Sequence, residues 1–256
     1  LPPTATAAAV APRASAGLFE ALAGPLPSGD LPLSLTATPI ATSTTESAMV
    51  LTLGFTPPPS AVAGDAYNMQ LLVFDGEGRK EVFRQSQTIH AGKPGYGEVL
   101  LRVPVPAGRY YLRLSFGHEK SGTTGSVYAP SVVVPDFKKS PLSLSGVLIG
   151  RAESGAVGGR QAIADVLPFA PTAVRDFART DHVGAMLRVH QKSGAAPIAT
   201  TIETTILDDQ GAVVATARDV LAATAFATGS SEFRYDVPLS TLTPGSFLLR
   251  VVATAS

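Results

Sequence analysis

Apolar and polar positions alternate with period two along most of this chain, the pattern of strands that bury one face. LPLSLTATPI at residues 31–40, SAMVLTLGF at 47–55 and NMQLLVF at 68–74 read this way, and the last breaks at DGEGR, where Asp75, Gly76 and Gly78 supply turn chemistry. Residues 80–90 pair back across that turn, and 98–105 and 110–116 make two further strands. SGTTG at 121–125 then turns the chain into VYAPSVVVP, and PLSLSGVLIG closes the set with Leu142, Leu144, Val147 and Ile149. One segment departs from period two. Ser15 caps a short helix over AGLFEALA that sets Leu18, Phe19 and Leu22 on one face, and Gly24 and Pro25 end it.

A second set follows the glycine-rich RAESGAVGGRQA. HVGAMLRVHQ, ATTIETTIL, AVVATARDV, FRYDVPL and SFLLRVVATA are five strand candidates, with a short one at 166–169 ahead of them. The pattern predicts an all-β chain: two tandem immunoglobulin-like or fibronectin-III-like β-sandwiches with a short N-terminal helix and an extended arm. Its divisions are an arm at 1–14, a first sandwich at 15–150 with the helix at 15–24, a linker at 151–165 and a smaller second sandwich at 166–256.

The two sets align. VFDGEGR at 73–79 matches ILDDQGA at 206–212, pairing Asp75 with Asp208 and Gly78 with Gly211, and PAGRYYLRLSF at 106–116 returns near the end as TPGSFLLRVVA. In the first copy Tyr110, Leu112, Leu114 and Phe116 face the core, and an aromatic just after a Pro-Gly corner is the pattern of a tyrosine corner, whose hydroxyl bonds a nearby backbone group. Phe247 in the second copy has the ring without the hydroxyl. The opposite face of the first copy carries Arg109, Tyr111 and Arg113, the candidate interaction face.

Composition narrows the function classes. With 45% hydrophobic and 16% charged residues, 21 Pro and 24 Gly, the 256-residue chain is globular and rich in turns. Twenty basic and twenty acidic residues leave no basic surplus for a nucleic-acid backbone, and zero net charge lowers the repulsion between copies. Without cysteine there is no disulfide, thiolate metal site or Cys nucleophile. No apolar run reaches the roughly 18 residues of a membrane helix. The chain opens on Leu1, as a processed protein or a fragment does, and LPPTATAAAVAPR reads as a linker or extended arm that docks on another copy or a larger complex.

Candidate chemistry is sparse. His182 and His190 share a strand face about 26 Å apart, too far for one metal. His90 and His118 can approach across strands, yet no carboxylate spacing supports a site, and DGEGRKE lacks the carboxylate series of a calcium loop. No G-x-S-x-G is present, and GAVGGR lacks the spacing and Lys of a phosphate loop. Tyr111, Arg113 and Tyr128 could form a sugar platform, a weak one in a chain without Trp. An enzyme reading needs His90 or His118 in a pocket beside a carboxylate. No catalytic, cofactor or metal residue is assigned.

LFEALAGPLPSGDLPLSLTATP, PAGRYYLRLSF, GSVYAPSVVVPDFKKSPLSLSGVLIG, PTAVRDFARTDHVGAMLRVHQ and TPGSFLLRV together resemble the C-terminal region of bacterial von Willebrand factor type A-related proteins. In those proteins a type A domain precedes such segments and the whole is exported. Neither the type A domain nor its D-x-S-x-S metal motif occurs here, so no metal-mediated adhesion transfers to any residue. The resemblance implies a non-catalytic extracytoplasmic structural or protein-interaction module, an accessory subunit or self-associating, with a protein partner. A carbohydrate- or peptide-binding adhesion module is the alternative.

Overall fold

The computed structural model describes residues 13–43, 46–78, 80–91, 95–151, 156–165, 167, 169–192 and 194–255. The extended arm predicted at 1–14 lies outside the described residues up to residue 12. The fold is all-β, with sheets packed as sandwiches behind one N-terminal helix, α1 (Arg13–Ala23).

The first sandwich is built from β1 (Leu33–Ala41), β2 (Ser47–Phe55), β3 (Ala66–Asp75), β4 (Glu81–His90), β5 (Gly97–Pro104), β6 (Gly108–His118) and β7 (Thr124–Val134). One sheet runs β4-β3-β6-β7, and facing it β1, β2 and β5 are paired in that order, antiparallel throughout. Alternation decides what fills the gap between them. Met49, Leu51, Leu53 and Phe55 from β2 meet Val99, Leu101 and Val103 from β5 and Tyr110, Leu112, Leu114 and Phe116 from β6. At the centre the rings of Phe55, Tyr67 and Phe116 lie 4.8–5.2 Å apart, centroid to centroid. The corner before β6 is a tyrosine corner: Tyr110 Oη donates to the carbonyl of Pro106 at 2.8 Å.

Beyond these come β8 (Leu142–Leu144), β9 (Leu148–Arg151), β10 (Ala156–Gly158), α2 (Arg160–Ile163), β11 (Val183–Gln191), β12 (Thr200–Leu207), β13 (Val213–Leu221), β14 (Ser230–Asp236) and β15 (Leu248–Ala255). The second sandwich packs β14-β11 with β8 and β9 on one side against β13-β12-β15 on the other, around Leu187, Val189, Ile202, Phe226 and Phe233. Just as β3 pairs with both β4 and β6, β12 pairs with both β13 and β15. The turns agree too: Gly78 and Gly211 have φ of 69° and 81°, and their N–H groups donate to the carbonyls of Asp75 and Asp208.

Four sequence expectations are corrected. PLSLSGVLIG does not close the first sandwich: β8 and β9 pair antiparallel with β11, because their apolar positions complete the second core and the sandwich junction. The glycine-rich stretch is no linker, since β10 adds parallel to β5 as a fourth strand and α2 packs on β5. Residues 152–155 lie outside the described residues. Leu167 and Phe169 belong to no strand, with 166 and 168 likewise outside. On α1, Leu18, Ala21 and Leu22 are buried, while Phe19 is 46% exposed and turned away.

The sandwiches share a third core. Ile40, Ala48, Val50 and Leu100 from the outer face of the β1-β2-β5 sheet meet Leu148 and Met186 from the second sandwich and Ile163, Leu167 and Ala170 from the connection. β2 is thus covered on both faces, which is why its sequence runs nearly unbroken in apolar residues.

Candidate functional site

The face predicted to meet a partner meets the protein's own helix. α1 lies over the outer side of β3, β6 and β7, where Gly117 leaves the space that Leu18 fills. The last carbonyls of a helix lack intrahelical partners and carry partial negative charge. α1 has no basic residue in its last turn, and Arg113 supplies the charge from β6, its Nη1 donating to the carbonyls of Leu22 at 2.8 Å and Gly24 at 3.2 Å. Its guanidinium stands 5.1 Å from the ring centre of Tyr111 and 5.0 Å from that of Tyr128, and Nε donates to Tyr111 Oη at 3.1 Å. Tyr128 Oη donates to the same helix end, at Ala21 and Gly24. Tyr111, Arg113 and Tyr128 come together as a helix cap, whereas Arg109 leaves the group and donates to Ser131 Oγ on β7.

At the other end of β6, His118 stands beside a carboxylate. Asp65 Oδ2 lies 3.0 Å from Nε2, and Ser121 Oγ lies 2.8 Å from Nδ1. Serine, histidine and aspartate in hydrogen-bonded order are the parts of a nucleophilic triad. Two features make this one a clamp. Ser121 Oγ also accepts from Thr123 N–H and shares a hydrogen bond with Thr123 Oγ1, so the hairpin turn already uses it. Asp65 Oδ1 is neutralised by Lys120 Nζ at 2.5 Å, while Val62 N–H donates to Oδ2. Lys120 first, then Val62 N–H and His118, hold the Asp65 carboxyl down to about 2. The network ties the 62–65 loop, the end of β6 and the β6–β7 turn together. Sequence spacing hid it because 53 residues separate Asp65 from His118.

A second buried carboxylate joins the sandwiches. Glu98 on β5 accepts from Thr172 Oγ1 at 2.6 Å and Ala173 N–H at 2.7 Å. Burial pushes the nearby Arg175 guanidinium down, while Tyr96 and Glu98 push it back up. Of the remaining histidines, His90 ends β4 with Nδ1 3.3 Å from the carbonyl of Gly64, and His182 precedes β11. His190 is buried on β11, its ring 5.0 Å from that of Phe137. Among the described residues no three His, Asp or Glu side chains are placed to hold a metal, and no helix is long and apolar enough to cross a membrane.

The sheet β13-β12-β15 differs from its counterpart in what covers it. In the first sandwich α1 lies over the outer face and β7 occupies the edge of β6. Among the described residues β15 pairs with β12 alone, and Leu248 and Val252 on the outer face are 60% and 44% exposed. Val213 and Val220 of β13 are exposed as well.

No protein-family model matches the chain, and no curated protein matches it. Among solved structures, a Bacteroides fragilis protein provisionally described as a beta-galactosidase is 13% identical with a TM-score of 0.24, over 82% of this chain and 33% of its own. A structure named pT26-6p is 9% identical with a TM-score of 0.22, over 91% of this chain and 62% of its own. This chain thus spans less than two thirds of either neighbour, and both scores are too low to carry a fold or an activity across.

Proposed function

We propose that this chain is a non-catalytic, extracytoplasmic structural or protein-interaction module that associates through the open edge at β15. The observation that carries the reading is the contrast between β6 and β15. β6 has β7 paired beside it, whereas among the described residues no strand pairs with β15 on the side away from β12, with Leu248 and Val252 exposed and Arg250 the single charge in LLRVVATA. A long apolar edge is a template for another strand, and native proteins leave few of them. The edge strand of the first sandwich is guarded instead, β4 carrying Glu81 and Arg84 among its polar residues.

The occupant we assign is a second copy of this chain, β15 against β15 in antiparallel register across a two-fold axis, since one strand then satisfies both partners. Zero net charge removes the repulsion that opposes such pairing. The two sheets of like connectivity support reading the sandwiches as copies of one immunoglobulin-like plan. The extracytoplasmic origin rests on the resemblance to von Willebrand factor type A-related proteins. Light scattering after size exclusion, run over a concentration series, tests the association: the mass rises from monomer toward dimer in the wild type and stays monomeric in Val252→Lys. A wild type that remains monomeric throughout overturns it.

A further inference from the structure

Between the two sandwiches, beside the shared core, lies a cleft of about 570 Å³ with an unusual charge balance. Lys138 reaches it from the segment after β7, Arg188 and His190 from one face of β11, and Lys192 from just beyond that strand. Thr228 and Ser230, the latter beside His190 in the β11–β14 register, also line it, and no carboxylate does among the described residues. Two acids stand nearby without lining the cleft: Asp136, whose carboxylate accepts from Lys138 N–H, and Glu232, which is opposite Arg188 in the β11–β14 register and paired with Arg234.

His190 stands at the wall of the cleft and reports on it. It is 9% exposed, and its Nε2, closed off from solvent, has no hydrogen-bond partner among the described residues. Burial, then the charge of Arg188, pushes its pKa down to about 4. A group of cations with no carboxylate among the residues that line their cleft costs stability. An oxyanion in the cleft would neutralise the cations around it, and three permanent positive charges suit a dianion better than a carboxylate. The volume lies within the range of small-molecule sites and exceeds what a bare tetrahedral ion fills.

We propose that this cleft binds a dianionic oxyanion group, a phosphate or sulfate, either free or as the ester of a small molecule. The test follows the His190 ring resonances of the intact chain by NMR during titration at constant ionic strength with inorganic phosphate, inorganic sulfate or glucose 6-phosphate, against chloride. A saturable shift is expected with at least one of the three. Glucose 6-phosphate binding more tightly than phosphate assigns an ester, and equal binding assigns the free ion. Lys192→Ala and Lys138→Ala change exposed side chains, so the fold should be retained, and each is expected to weaken binding by about tenfold or more. No saturable shift with any of the three, or a shift that both variants leave unchanged, overturns the proposal.

Discussion

Arg113 on β6 donates to the carbonyl of Leu22 at the end of α1, 2.8 Å away in space and 91 residues away in sequence. A strand cation thereby caps a helix that has no cation of its own in its last turn. The outer face of the first sandwich is closed by this contact and by the rings of Tyr111 and Tyr128 against the same guanidinium.

Arg113→Ala removes a cap and two ring contacts together and should lower stability by about 1–3 kcal/mol. Tyr128→Phe, which loses one hydroxyl bonded to the same helix end, should cost about 1 kcal/mol. Limited proteolysis checks the location, with cleavage near residues 21–24 accelerated in both variants and cleavage in the second sandwich unchanged.

Acid should weaken the protein in two separate windows. His190 is held near 4 in the fold against an ordinary 6.5. The unfolded chain therefore binds the extra proton first, and stability falls as pH drops from about 6.5 to about 4, by on the order of 2–3 kcal/mol. Asp65 works lower down. Its carboxyl is held at about 2, so the stability it provides is complete above the ordinary carboxylate value and is lost as pH falls from there toward 2. Urea midpoints measured across pH should show both declines, with the upper one absent in His190→Gln and the lower one absent in Asp65→Asn.

Glu98 and Thr172 fasten the sandwiches to each other. Thr172→Val leaves a buried carboxylate short of a donor and should cost about 1–3 kcal/mol. Glu98→Gln should cost a similar amount, and the double variant less than the sum, because both changes break one contact. Calorimetry should show one cooperative transition in the wild type and broadening or splitting in Glu98→Gln.

Gly78 and Gly211 hold left-handed backbone in equivalent turns, with open space where a Cβ would stand. Alanine at either place meets no clash and pays for conformation alone, about 1–2 kcal/mol. Equal losses in Gly78→Ala and Gly211→Ala are expected from chemical denaturation.

What was legible in the chain was local. Alternation located β1–β7 and β11–β15, and the Asp-Gly turns located the hairpins β3–β4 and β12–β13, because side-chain period and turn chemistry depend on near neighbours. Sheet membership was not legible. Leu142 and Leu144 alternate as well in one sandwich as in the other, and the pairing of β8 with β11 depends on which core their side chains complete. The glycines of 150–159 looked like a linker because a short edge strand such as β10 needs few side chains. The partner of Arg113 was hidden by distance along the chain, although a helix ending without a cation was a usable signal. Asp65, His118 and Ser121 gave no local sign of meeting.

The association through β15 is tested most directly by hydrogen exchange with mass spectrometry at several protein concentrations. An edge strand exchanges fast while open and slowly once paired. Protection of residues 248–255 should rise with concentration in the wild type, stay low in Val252→Lys, and leave the polar edge strand β4 unaffected. Exchange of 248–255 that does not change with concentration would contradict the account.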